Sequence, residues 1–373
     1  MPQIPLKDFP LWQARPDGHA PMIAMNLEIT ARCNHDCRHC YINLPEEDRA
    51  AKASELSCKE IETIADEAVS LGVLWVLITG GEPLLREDFA EIYLALKKKG
   101  LLVSVFTNAT LITEEHVRLF KAYPPRAVEI SVYGVTRETY ERVTRRKGAF
   151  AAFSRGLGLM AKNALPVTLK AMAMQSNLKE MANIAAFCRI KSSNPFRFDP
   201  LLHLRYDRNP LRNKEIRAER LTPAQITDLE QGDAARKIAL KKGCEQLMLP
   251  WVSARTDSAL FICGAGIGEC TVSADGRFRL CAALCHPDCQ YDLKSGSLTE
   301  ALTHVVPRIR AMQSQQTAYL ETCRKCSLIN LCHWCPAHAF LETGELDLPV
   351  DYFCDVAKAR WAVIDVSNGG KRG

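Results

Sequence analysis

Six short apolar runs recur between residues 22 and 202, and a stretch of helical periodicity follows each of the first five. They are MIAMNLEIT (22–30), VLWVLIT (73–79), LLVSVFT, AVEISVY, PVTLKAMAM and FRFDPLL. VLWVLIT is apolar up to its last residue, as strands buried on both faces of a parallel sheet are. The segment SELSCKEIETIADEAVSLG reads as a helix capped at Ser54 or Ser57 and stopped at Gly72. Further helices are expected at about 87–99, near 113–122, within 136–163 and at about 178–190. Strands alternating with helices predict a parallel α/β layer or an open barrel. Right-handed crossovers then put the ligand-binding loops at the C-terminal ends of the strands. No repeat of 20–50 residues interrupts this pattern.

The 373 residues are 47% hydrophobic, enough for a buried core and for more than one domain. The net charge of +5 comes without a long Lys/Arg block, so no nucleic-acid footprint is expected. The opening MPQIPLKDFPLWQARPDGHAP lacks the apolar core of a signal peptide, and GVLWVLITGG is too short to span a bilayer. The expectation is a cytoplasmic protein with no membrane partner. Sixteen cysteines in such a chain then point to metal or redox chemistry rather than disulfides. Three lie at 33–40, ten crowd between Cys263 and Cys354, and only Cys58, Cys188 and Cys244 lie between.

The first group, CNHDCRHCY (33–41), follows the first strand and holds Cys33, Cys37 and Cys40. Three thiolates can hold three irons of a cubane and leave the fourth free. They can also form a zinc knuckle with His35 or His39. Other strand ends carry polar groups at the same rim. TGGEP (79–83) offers two glycines for close backbone approach and the Glu82 carboxylate, or it is a Gly-Gly turn capped by Pro83. TNAT (107–110) offers Asn108, and SVYG (131–134) offers Ser131. Asn177 is a polar liner or a cap, and His35 and His39 read as packing or groups that tune the cluster from beside it.

CxxxCxxC followed by an aromatic, then GGEP one βα unit later, then TN, then a serine after the fourth strand, resembles the radical S-adenosylmethionine (radical SAM) superfamily over about 22–202. The resemblance implies an α/β fold with a partial (β/α)6 TIM-like barrel. It implies a 4Fe–4S cluster on Cys33, Cys37 and Cys40 whose open iron chelates S-adenosylmethionine. One-electron cleavage of that cofactor yields a 5′-deoxyadenosyl radical that abstracts a substrate hydrogen. By position, Gly80, Gly81 and Glu82 hold the methionine amine, Ser131 faces the ribose, Tyr41 packs at the edge and Asn108 lines the pocket. Arg142 is the carboxylate partner or a solvated helix arginine.

At the other end, CGAGIGECTVSADGRFRLC (263–281), CRKCSLINLCHWC (323–335) and Cys354 are too dense for accident. The arrangement resembles the cysteine-rich SPASM extension of radical SAM enzymes. Gly276 stands five positions before Cys281, as that pattern asks, whereas Cys332 and Cys335 are separated by two residues rather than three. The resemblance implies two closed auxiliary 4Fe–4S clusters. The first takes Cys263, Cys270, Cys281 and Cys335, with Cys285 or Cys289 as a replacement for Cys270. The second takes Cys323, Cys326, Cys332 and Cys354. Two zinc sites are the alternative. Cys244, Cys285 and Cys289 exceed the ligand count, and Cys58 and Cys188 read as small buried hydrophobes.

The expected organisation is an N-terminal extension (1–21), a barrel (22–202), a mostly helical connector (203–262) and a SPASM domain (263–373). SPASM-bearing relatives mostly modify peptides or proteins, and others act on sugars, antibiotic precursors or tetrapyrroles. The 32 residues before Cys33 leave no room for a peptide-recognition domain, so a separate recognition protein, a short peptide or a small molecule is expected. The resemblance also implies a flavodoxin- or ferredoxin-type electron donor. A non-catalytic metal-scaffolded binding module would not need GGEP.

Overall fold

The six apolar runs become six parallel strands: β1 (Ala24–Thr30), β2 (Trp75–Gly80), β3 (Leu102–Thr107), β4 (Ala127–Ser131), β5 (Thr168–Met172) and β6 (Arg197–Asp199). They pair in chain order. The computed structural model describes residues 22–192, 194–247, 258–329 and 331–367. The expected extension at 1–21 and the side chain of Cys244 lie outside the described residues. Between the strands run α1 (Arg49–Ser54), α2 (Cys58–Ser70), α3 (Phe89–Lys98), α4 (Glu114–Ala122), α5 (Arg137–Thr144), α6 (Ala149–Lys162) and α7 (Met181–Lys191).

The alternation of side chains along each strand divides the sheet into two faces. Val76, Ile78, Val103, Val105, Val128, Ile130, Leu169 and Phe198 are buried in the main apolar core. Glu28, Thr79, Phe106, Glu129, Ser131, Lys170 and Asp199 fall on the opposite face, the inside of the partial barrel. Local caps explain the helix starts. Ser57, not Ser54, caps α2: its hydroxyl accepts from Glu60 N while the Glu60 carboxylate accepts from Ser57 N at 2.8 Å. Gly72, with φ of +95°, follows the end of that helix.

The C-terminal region does not stand apart as the expected boundary at 263 suggests. Its first strand, β7 (Glu269–Val272), pairs parallel with the free edge of β1. The next two, β8 (Arg277–Arg279) and β9 (Gln290–Asp292), extend the sheet antiparallel to nine strands. An open β1 edge would expose unpaired backbone groups, and β7 covers it. A buried ion pair crosses the join, Arg279 to Glu28 at 2.5 Å. The connector forms α8 (Pro210–Glu219), α9 (Pro223–Gly232) and α10 (Ala234–Leu247). Glu230 of α9 accepts twice from Arg360 of the last described helix (Asp351–Ser367), at 2.8 and 3.0 Å. Among the described residues no helix is long and apolar enough to cross a membrane.

Candidate active site

The chain leaving β2 lies directly on the backbone that leads into the cysteine loop. Gly81 N donates to the Thr30 carbonyl at 2.7 Å and Glu82 N to the Arg32 carbonyl at 2.9 Å. A Cβ on Gly80 would stand 2.1 Å from Thr30 O, and one on Gly81 would stand 2.2 Å from Arg32 O. Gly80 also holds φ of +128°. The two glycines therefore seat the cysteine loop, a requirement that the sequence alone did not reveal. Glu82 is turned away from the expected ligand. Its side chain is fully buried and accepts from Thr107 Oγ1 (2.7 Å), Asn108 N (2.7 Å) and Leu84 N (3.1 Å). The reason is geometric: the ends of β2 and β3 present three donors behind the rim, and the carboxylate satisfies all three. Burial pushes its carboxyl up to about 7, and the three hydrogen bonds oppose that rise.

The cysteine loop is clamped from outside by arginines of the connector. Arg205 donates to the carbonyl and side-chain oxygens of Asn43 at 3.1 and 3.0 Å. Arg212 donates to the Cys37 carbonyl at 3.0 Å and pairs with Asp36 at 2.8 Å. The end of α5 supplies two more bonds, from Asp36 N to Thr144 O and from Arg38 N to Val143 O. These arginines belong to the segment expected from the sequence to be a mostly helical connector.

Inside the clamp lies a cavity of about 350 Å³. Cys33, Cys37 and Cys40 line it, together with His35, His39, Tyr41, Gly80, Gly81, Asn108 and Ser131. The Asn108 amide donates to Asn34 Oδ1 at 2.9 Å, which ties β3 to the cysteine loop. Tyr41 packs on Tyr206, with ring centroids 4.7 Å apart. Two sequence candidates are not brought in. Asn177 is spent on Met174 N, Tyr133 O and Met172 O. Arg142 is absent from the lining of the cavity, and its guanidinium donates to Thr139 Oγ1 (2.9 Å) and the Ser176 carbonyl (2.7 Å). The helical turn points its side chain toward β5's loop and not toward the cysteines. Arg142→Ala is accordingly expected to leave S-adenosylmethionine affinity unchanged in a binding titration; a large loss would contradict this placement.

The donor set fits an iron–sulfur cluster. Burial pushes the thiols of Cys33, Cys37 and Cys40 above their ordinary range; Glu82 and then Cys40 raise Cys33 further, and Cys40 and Cys33 raise Cys37 further. Crowded buried thiols ionise only when a cationic centre joins them. Both nitrogens of His35 and Nδ1 of His39 are buried with no partner, and burial lowers both rings to about 4, so they are neutral. Among the described residues no three His, Cys, Asp or Glu side chains close on one point as ligands of a single metal ion do. A cubane's ligands stand at the corners of a larger body.

The C-terminal cysteines divide into two groups. Burial first, then Cys354 and Cys326, pushes Cys323 up to about 11. Cys332 rises to about 12 by burial, with Cys354, Cys323 and Cys326 adding to it. These four stand together. In the other group, Cys281 is pushed to about 11 by burial and then by Cys335 and Cys263. Cys270 does not join them. The β1–β7 register sets it opposite Met25, fully buried in the apolar core, and besides burial only Glu269 raises its thiol. Its expected role as a ligand is therefore not carried by the fold. Of the spare thiols, Cys285 accepts from Arg279 at 2.9 Å, and Cys289 is buried against the Met312 sulfur. Cys188 is fully buried and Cys58 only partly so.

Comparison with known proteins agrees with this geometry. The chain is 32% identical to Fe-coproporphyrin III synthase of Methanosarcina barkeri over 164 residues, 44% of this chain and 40% of that protein. It is 30% identical to the antilisterial bacteriocin subtilosin biosynthesis protein AlbA of Bacillus subtilis over 173 residues, 46% of this chain and 38% of that protein. The matched region thus spans about two fifths of these curated relatives' own length. In structure it resembles Streptococcus suis SuiB bound to the precursor peptide SuiA, with a TM-score of 0.65, 17% identity, and coverage of 90% of this chain and 76% of that one. Residues 27–188 match the family model described as the radical SAM superfamily. Together the cysteine loop, the strand-end rim and these matches identify the barrel as a radical SAM domain.

Proposed function

We propose that this chain cleaves S-adenosylmethionine reductively and uses the resulting radical to modify a peptide or protein. The observation that carries the reading is the cavity, whose lining brings the buried, mutually interacting thiols of Cys33, Cys37 and Cys40 together with Gly80, Gly81, Asn108 and Ser131. When bound, the cluster and S-adenosylmethionine together supply a 5′-deoxyadenosyl radical that takes a hydrogen atom from the substrate. Cys33, Cys37 and Cys40 hold the cluster. The backbone of Gly80 and Gly81, with Tyr41, Asn108 and Ser131, holds and orients the cofactor. Glu82 acts from behind by fixing the rim. The buried neutral histidines exclude water from the cysteine end. An external one-electron donor of the flavodoxin or ferredoxin type reduces the cluster.

The sheet ends at β6, with no further strand beyond it among the described residues. The names of AlbA and of the SuiB complex support a peptide substrate. The test is to incubate the reduced, reconstituted protein and S-adenosylmethionine with a peptide encoded by a short reading frame beside its own. A defined mass change in the peptide is expected. An unchanged peptide together with a consumed porphyrin would instead favour small-molecule modification, the second reading, which rests on the similarity to Fe-coproporphyrin III synthase.

We further infer that residues 263–367 form a SPASM-type region, with one auxiliary cluster on Cys323, Cys326, Cys332 and Cys354. The other is held by Cys263, Cys281 and Cys335. The Cys326→Ala, Cys354→Ala double variant is expected to lose about four irons per chain while the cavity cluster stays loaded. Bound zinc in place of that iron would overturn the assignment.

A further inference from the structure

Tyr140 of α5 is fully buried, yet its hydroxyl has no hydrogen-bond partner among the described residues. Buried phenols ordinarily find one, because a desolvated hydroxyl without a partner is unfavourable. Tyr93 of α3 shows the ordinary case: it is as deeply buried, and its hydroxyl donates to the Tyr123 carbonyl at 2.7 Å. Around Tyr140 the neighbours are rings. Phe153 stacks on it with centroids 4.9 Å apart, and Phe150 and Tyr133 tilt against it at 5.8 Å each. His35 of the cysteine loop meets it edge-on at 6.4 Å.

The cysteine loop lies against the helix that carries this hydroxyl. Asp36 N donates to Thr144 O at 3.0 Å and Arg38 N to Val143 O at 3.1 Å, so α5 and the loop are held together at two points. Burial pushes the Tyr140 phenol well above its ordinary range, and Cys37, Glu82 and Cys33, in that order, raise it further. Two of the three thiols of the loop are thus its charge neighbours. Glu82 is committed elsewhere, to Thr107, Asn108 and Leu84. A phenol that keeps its proton is a donor. His35, in ring contact with Tyr140, has both nitrogens buried without a partner as well. Unmet polar atoms of two touching side chains therefore collect beside the cysteine loop.

We propose that Tyr140 donates a hydrogen bond to sulfur of the cluster held by Cys33, Cys37 and Cys40, and that this bond raises the cluster's midpoint potential. The proposal rests on the reading of these three cysteines as cluster ligands. Reduction adds negative charge to the cluster, so a donor at its sulfur favours the reduced form. A hydrogen bond to a charged group shifts such an equilibrium about tenfold, which for one electron is about 59 mV. Tyr140 does not line the cavity. It is a positioning residue that acts on the reaction through the cluster.

The test uses the anaerobically reconstituted full chain as wild type, Tyr140→Phe and Tyr93→Phe. Tyr140→Phe keeps the ring and its packing and removes only the hydroxyl. The reduced-cluster EPR signal that the Cys33→Ala, Cys37→Ala, Cys40→Ala triple variant lacks reports the cavity cluster, and a redox titration gives its midpoint potential. Tyr140→Phe is expected to bind as much iron as wild type and to lower that potential by about 59 mV, a tenfold shift in the reduction equilibrium. Before reconstitution it should unfold at or above the wild-type Tm, because the chain alone offers the hydroxyl no partner. Tyr93→Phe, which removes a hydrogen bond within the protein, should lower the Tm and keep the potential. An unchanged potential in Tyr140→Phe at equal iron overturns the assignment. So does a Tm lowered before reconstitution as in Tyr93→Phe, which would mean that the hydroxyl is bonded within the protein. A wild type that shows no such EPR signal while its C-terminal iron is present overturns the reading of the cysteine loop itself.

Discussion

Gly81→Ala is expected to lose the cysteine-loop cluster and the deoxyadenosine-forming activity together. The added methyl would stand 2.2 Å from Arg32 O and 2.7 Å from Ala31 O. Both obstacles are backbone, so no side-chain rotation relieves them. Either β2's exit or the residues 31–32 must move, and those residues lead straight into Cys33. The overpacking itself costs about 1–3 kcal/mol of stability. The larger effect falls on geometry, because a shift of about 1 Å at reacting groups lowers rates about a hundredfold. Iron analysis should show a deficit of about four irons per chain with the C-terminal iron retained. Full iron with wild-type deoxyadenosine formation would contradict the seating role assigned to this glycine.

Glu82→Ala is expected to destabilise the rim more than any single loss of a surface charge. Its carboxylate accepts from Thr107, Asn108 and Leu84, all buried. Removing it leaves three donors without partners, at about 1–3 kcal/mol each. Thermal unfolding should show a lowered Tm, and Glu82→Gln should recover part of it. The pH profile separates this role from direct contact with the cofactor. Burial raises the folded-state carboxyl from 4.5 to about 7, so the folded protein holds this proton more tightly than the unfolded chain. Its contribution to stability is full below about 4.5 and is lost as pH rises through about 7. Glu82→Gln should flatten that part of the profile. An unchanged slope would mean that Glu82 does not titrate in this range.

The strands and the cysteine loop are legible because each is encoded locally. VLWVLIT needs only its own composition to be read as a buried strand, and CNHDCRHCY only its own spacing. What escaped was long-range. Arg205 and Arg212 clamp Asn43 and Cys37 from 162 and 175 residues away, and no periodicity in HLRYDRNPLRNKEIRAER announces that partner. A carboxylate after Gly-Gly reads as a ligand group at the rim, yet three donors behind the rim claim Glu82. The SPASM resemblance implies Cys270 as a ligand, but the register of β7 against β1 takes it into the core. Arg142 shows the same limit: the motif gave its element and left its direction on α5 open.

The central claim is that Cys33, Cys37 and Cys40 hold the centre that cleaves S-adenosylmethionine. The direct measurement is 5′-deoxyadenosine formation by anaerobically reconstituted, dithionite-reduced protein, with wild type beside the Cys33→Ala, Cys37→Ala, Cys40→Ala triple variant. Wild type should form deoxyadenosine, and the triple variant should form none while keeping its C-terminal iron. Deoxyadenosine formation by the triple variant at the wild-type rate would contradict the account.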